Sequence, residues 1–244
     1  MCLQGGREFA AGCRDMDAEL VRRAAGPVVV TALAGAPGRE YRTANDNGVA
    51  HYRSVGAAGA VGAPDVREDR AAALEVLATA RLLVLPGGAP SRLLSALQST
   101  PVGQLVLDLL ADGGVVMGSS AGAMVLCAWT VLPERRGPHG PAVQAGLGAV
   151  PDTLVLPHWS GRPAGSDWLQ AVEATVPPAT TVLGLPEQSG VLVQAGVLDQ
   201  TGAHDQTEPQ GRPDGRTLTA VGQSPTRLVL DGRDLAVGQT FRAP

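Results

Sequence analysis

Lysine and isoleucine are absent from this 244-residue chain, and aromatic residues make up only 3% of it. All 19 basic residues are therefore arginine. Without lysine there is no Schiff-base amine, no Ser-Lys dyad and no P-loop lysine. No G-x-G-x-x-G occurs, which removes the dinucleotide-binding fingerprint. The three cysteines, Cys2, Cys13 and Cys127, are odd in number and have no CxxC spacing, against both a disulfide scaffold and a zinc ribbon. The four histidines, His51, His139, His158 and His204, form no HxxxH pair, so no helical metal site is signalled. Neither a metal nor an organic cofactor is expected. No apolar run reaches the roughly 18 residues a membrane span needs. Met1 to Asp15 lacks the basic-then-apolar pattern of a secretion signal. A net charge of −4 lacks the basic excess of a general nucleic-acid binder. These absences point to a cytoplasmic protein with no membrane or nucleic-acid partner, a monomer or a homodimer.

What is present is core material: 44% hydrophobic against 17% charged residues. Short apolar runs take turns with helical stretches. Pro27–Leu33, Leu82–Leu85, Val115–Met117, Leu154–Leu156, Thr181–Leu185 and Val191–Gln194 read as strands. Asp65–Ala80 with Asp65 as its cap, Ser91–Leu97, Pro101–Ala111, Ala121–Thr130 and a segment near Ser166–Ala174 read as helices. This alternation predicts a three-layer α/β fold, a mostly parallel sheet with helices on both faces. Ser54–Pro64 reads either as a thin strand and turn or as a loop. Thr201–Gly215 is polar and rich in Gly and Pro, and Thr217–Val221 and Arg227–Leu230 then alternate as antiparallel strands. The expectation is a single domain over residues 1–244, with 201–244 as a β-rich extension.

Gly118-Ser119-Ser120-Ala121-Gly122 fits G-x-S-x-G, between an apolar strand and an apolar helix. That context is a strand–turn–helix elbow, which lifts the central hydroxyl of Ser120 from the sheet edge. A serine nucleophile needs a base. His158 follows a strand at the carboxyl end, where α/β sheets place their sites. His51 sits in a polar, helical surface region, and His139 and His204 sit in Gly- and Pro-rich loops. Three acids compete to orient the imidazole: Glu187 after the strand Thr181–Leu185, Glu134 after the nucleophile helix, and Asp199. Ala121 N–H is one oxyanion donor, and Gly87-Gly88 supplies the second. Gly87 borders the substrate. Arg162, four residues past His158, has the planar fork to pair with a substrate carboxylate.

LPGGAPSRLL (Leu85–Leu94), GSSAGAMVL (Gly118–Leu126), PHW (Pro157–Trp159) and GLPEQSGVLV (Gly184–Val193) occur in that order, after LQGGREF (Leu3–Phe9). Together they resemble the serine peptidase family of aspartyl dipeptidase (peptidase E) and cyanophycinase. The resemblance covers about residues 3 to 195. It implies the class I glutamine-amidotransferase-like fold, with Ser120 as nucleophile, His158 as base and Glu187 as the third member. It also implies an oxyanion loop at Pro86-Gly87-Gly88-Ala89. The family often carries G-G-G-N there; here Pro86 replaces the first glycine and Ala89 the asparagine. The expected function is a serine hydrolase of amide bonds in small peptides that is not a typical Asp-X dipeptidase. A non-catalytic binding protein on the same fold is the alternative. A glutamine amidotransferase is disfavoured because serine stands at the nucleophile position, and Cys127 lies seven residues into the expected helix.

Overall fold

A computed structural model describes residues 1–163, 165, 167–194 and 216–243. The strands are β1 (Cys2–Gln4), β2 (Val28–Val30), β3 (Val61–Gly62), β4 (Leu82–Leu85), β5 (Val115–Ser119), β6 (Cys127–Gly137), β7 (Gly140–Ala145), β8 (Val150–Leu156), β9 (Thr181–Gly184), β10 (Ser189–Gln194), β11 (Arg216–Gly222), β12 (Thr226–Leu228), β13 (Arg233–Leu235) and β14 (Thr240–Ala243). The helices are α1 (Arg14–Ala24), α2 (Arg39–Ser54), α3 (Arg70–Leu77), α4 (Pro90–Ser99), α5 (Val102–Ala111), α6 (Ala121–Leu126) and α7 (Trp168–Thr175).

The architecture is α/β, and the strands are shared between two sheets. The larger runs β14-β11-β10-β1-β5-β4-β2-β3, with β1, β5, β4, β2 and β3 parallel and β10, β11 and β14 antiparallel at one margin. The smaller runs β13-β12-β9-β8-β6-β7, with β9, β8 and β6 parallel at its centre. The C-terminal strands are divided between them: β11 and β14 extend the larger sheet, and β12 and β13 the smaller.

Residues alternate across the larger sheet because successive strand side chains point to opposite faces. Val28, Val30, Leu82, Val84, Val115 and Met117 pack on one face against Met16 and Leu20 of α1 and Tyr52 of α2. Val29, Leu83, Leu85 and Val116 pack on the other, in one core with residues of α3 to α6 and with Leu154, Leu156, Val182 and Leu183 of the smaller sheet. That shared core sets the carboxyl ends of β1, β4 and β5 beside those of β8 and β9. Among the described residues, no single helix is long and apolar enough to cross a membrane.

Two local expectations are corrected, and one open choice is resolved. The helix expected over Ala121–Thr130 ends at Leu126, and Cys127 opens β6 with extended backbone (φ −73°, ψ 168°). Trp129, Thr130 and Val131 favour the strand, where they pair with β7. The helix expected from Asp65 starts at Arg70. Asp69 is its cap, accepting from the Ala72 N–H at 3.0 Å. Asp65 instead is buried and holds the Arg67 guanidinium at 2.7 and 2.8 Å. Between Ser54 and Pro64 the chain forms a turn and the two-residue edge strand β3.

Candidate active site

The elbow forms because its glycines permit close approach. A Cβ built at Gly118 would lie 2.6 Å from the Gly122 carbonyl carbon, and one at Gly122 would run into the Leu85 carbonyl of β4. Small residues therefore let α6 turn back directly over β4 and β5. Ser120 sits between them at φ 47° and ψ −107°, a region a non-glycine residue rarely occupies. Strain of this kind costs about 1–3 kcal/mol and persists only where the surroundings hold it. Its hydroxyl Oγ lies 2.9 Å from His158 Nε2. The other ring nitrogen, Nδ1, lies 3.1 Å from Glu187 Oε1. Arg7 Nε is 3.7 Å from Glu187 Oε2. The site opens to solvent, since the His158 and Glu187 side chains are 42% and 43% exposed.

The end of β1 ties these residues together. The Gln4 carbonyl accepts the Ser120 N–H at 2.9 Å, the Gly5 carbonyl the His158 N–H at 2.8 Å, and the Gly6 carbonyl the Gln188 N–H at 3.0 Å. Three successive carbonyls thus fix the serine, the histidine and the residue after Glu187. The two sheets meet here: Ser120 comes from the larger, His158 and Glu187 from the smaller. His158 and Gln188 also have positive φ, 53° and 56°.

The remaining expected residues are placed as follows. Among the described residues, the N–H groups of Gly88 and Ala121 donate to no protein acceptor. The Gly87 N–H donates to Glu8 Oε1 at 2.8 Å. Arg162 is exposed and makes no hydrogen bond among the described residues. Glu134 lies on the exposed outer half of β6, with no bond to His158. His139 is in the turn between β6 and β7, and Asp199 and His204 fall outside the described residues. Cys127 is buried, its Sγ donating to the Ala123 carbonyl, and burial pushes its thiol far up.

Two features were not anticipated. Glu8 joins the site: besides the Gly87 N–H, it accepts the Ser119 hydroxyl on Oε2 at 2.9 Å. Its partners are 79 and 111 residues away in the chain, so no local spacing announces the contact. His51, expected on the surface, is buried with its Nε2 2.7 Å from Asp17 Oδ2. Asp17 Oδ1 also accepts from Gln4 Nε2 at 2.6 Å. The spacing of Tyr41, Asn45, Gly48 and Tyr52 along α2 marks the buried face that His51 borders.

A family model for peptidase family S51 matches residues 52–201. A search of curated proteins found no match. Among solved structures, a peptidase from an acI-B1 Actinobacterium superposes with a TM-score of 0.74 at 19% identity, covering 99% of this chain and 95% of that one. A putative peptidase E protein from Listeria monocytogenes EGD-e superposes with a TM-score of 0.57 at 17% identity, covering 78% and 91%. These likenesses speak to the fold, and the family match takes in more than half of the sequence, including Ser120, His158 and Glu187. The chain belongs to peptidase family S51 and is a serine-type peptidase or hydrolase.

Proposed function

We propose that the protein is a cytoplasmic peptidase that cleaves amide bonds of small peptides, with Ser120 as nucleophile, His158 as general base and Glu187 as the acid that orients the imidazole. The unbroken run of hydrogen bonds from Ser120 Oγ through His158 to Glu187, at 2.9 and 3.1 Å, carries this reading. Ser120 Oγ attacks the scissile carbonyl while His158 Nε2 takes its proton. Glu187 holds Nδ1–H and stabilises the imidazolium. The Gly88 and Ala121 N–H groups, with no acceptor among the described residues, receive the oxyanion. His158 then returns the proton to the departing amine, and water, deprotonated by the same imidazole, releases the acyl group. Arg162 pairs with a substrate carboxylate on the exposed rim.

Ala89 supports the exclusion of Asp-X dipeptides as preferred substrates, because it carries no amide to bind an acidic group. A missing hydrogen bond to a charged group costs about 1.5–3 kcal/mol, one to two orders of magnitude in selectivity. Three free buried cysteines suit a reducing compartment. Hydrolysis of a dipeptide and acyl-peptide library by the wild type and by Ser120→Ala tests the reading. Turnover of neutral peptides lost in Ser120→Ala supports it. Efficient Asp-X cleavage removes the selectivity claim. No hydrolysis of any member, with the fold intact, favours a binding protein on the same scaffold.

A further inference from the structure

We propose that Glu8 is a positioning residue that clamps the oxyanion loop to the nucleophile elbow; this rests on the roles proposed above for Ser120, Gly88 and Ala121. One carboxylate oxygen takes the Gly87 N–H and the other takes the Ser119 hydroxyl. Each partner immediately precedes a working residue: Gly87 precedes Gly88, and Ser119 precedes Ser120. The two oxyanion donors arrive on different strands, β4 and β5, and nothing in the β4–β5 pairing beyond Leu85–Gly118 sets the spacing of the loops above it. The Glu8 carboxylate bridges that gap.

The bridge is built firmly. Ser119 is fully buried, so its hydroxyl needs a partner inside the protein. A Cβ built at Gly87 would lie 2.9 Å from Glu8 Oε1 and 3.2 Å from Ser120 Cβ, so glycine lets carboxylate, loop and nucleophile close up. Glu8 itself is aimed inward by strained neighbours, Arg7 at φ 51° and Phe9 at φ 68°. The Phe9 ring is held at 5.3 Å from the His51 ring and edge-on to Tyr52 at 6.3 Å. The clamp also decides which donors serve the oxyanion. Glu8 occupies the Gly87 N–H and leaves Gly88 to point its own at the substrate carbonyl.

The property Glu8 supplies is reach, and two substitutions separate reach from charge. Glu8→Gln keeps both contacts, because its amide oxygen accepts from Gly87 and its amide N–H donates to the Ser119 oxygen. Glu8→Asp keeps the charge and is one methylene too short to touch both. The readout is the second-order rate at which an alkyl fluorophosphonate labels Ser120, whose phosphoryl oxygen occupies the oxyanion position. Glu8→Asp is expected to slow labelling about tenfold or more, since misplacing an oxyanion donor approaches the cost of losing it. Glu8→Gln is expected to stay within about threefold of wild type, with an unchanged pH profile. Ser119→Ala, which cuts one arm only, is expected to fall between them and carries the test if Glu8→Asp does not fold. Labelling of Glu8→Asp or of folded Ser119→Ala at the wild-type rate overturns the clamp. So does a Glu8→Gln loss equal to that of Glu8→Asp. Failure of the wild type itself to label at Ser120 would instead strike the parent reading.

Discussion

Gly6 stands against the edge of the His158 imidazole: a Cβ built there would run into Cε1 and lie 2.6 Å from Nδ1. Its φ of 131° is also one that L side chains rarely adopt. Gly6→Ala therefore displaces the ring without altering Ser120, His158 or Glu187 themselves. A misplacement of about 1 Å costs on the order of a hundredfold. The expected result is a fall of that size in kcat/KM, with circular dichroism unchanged. Near-normal activity in Gly6→Ala would mean that the ring position matters less than its distances imply.

Glu187→Gln tests the proposed third member. The amide no longer stabilises the imidazolium and favours the wrong tautomer, so kcat is expected to fall at least about a hundredfold. Arg7→Ala removes only an exposed ion pair at 3.7 Å, and exposed pairs contribute little, so its change is expected within about threefold. Glu134→Gln is expected to match wild type. Steady-state kinetics of the three variants decide between the acids, and a crippled Glu134→Gln beside an active Glu187→Gln would reverse the assignment.

Much of the candidate site was legible because its residues sit on local patterns. Val115–Met117 is short and opens on two β-branched valines, and Ser120 follows it between glycines that admit no side chain. His158 and Glu187 both follow apolar strands, which places them at carboxyl ends. The pattern does not say that those strands form a second sheet, since strand-helix alternation looks the same in one sheet or two. Leu126 to Trp129 is apolar throughout, so helix and strand are indistinguishable there by period. Asp65 and Asp69 both precede the same helix, and only the backbone decides which one caps it. Glu8 was hidden for a different reason. Its value comes from partners just past β4 and at the end of β5, joined to it by tertiary structure alone.

The buried pair beneath the site carries stability. Asp17 is fully buried and bonded to Gln4, His51 and Tyr52. Asp17→Ala leaves the Gln4 amide and the His51 ring without their acceptor. A buried donor left without its acceptor costs about 1–3 kcal/mol. Urea unfolding is expected to show that loss as a lower midpoint at unchanged slope. A change under about 1 kcal/mol would show that water or a neighbour replaces the carboxylate.

The thiols give a prediction in pH. Burial pushes Cys2 and Cys13 up to about 12, and Cys127 higher still. A raised thiol pKa keeps the unreactive protonated form present until the pH nears that value. The native enzyme at about pH 8 is therefore expected to ignore iodoacetamide and keep full activity, while the denatured chain alkylates at all three positions. Inactivation of the native enzyme by stoichiometric alkylation would contradict this and would bring a cysteine into the mechanism.

The most direct test of the account is the site of covalent modification by an alkyl fluorophosphonate, read by peptide mass spectrometry. One adduct is expected, on Ser120, abolished in Ser120→Ala and slowed at least about a hundredfold in His158→Ala, which removes the proposed base at 2.9 Å. Ser119 is expected to stay unmodified, because its hydroxyl is buried and given to Glu8. An adduct on Ser119, or an intact Ser120 in wild-type protein that hydrolyses peptides, would contradict the central claim.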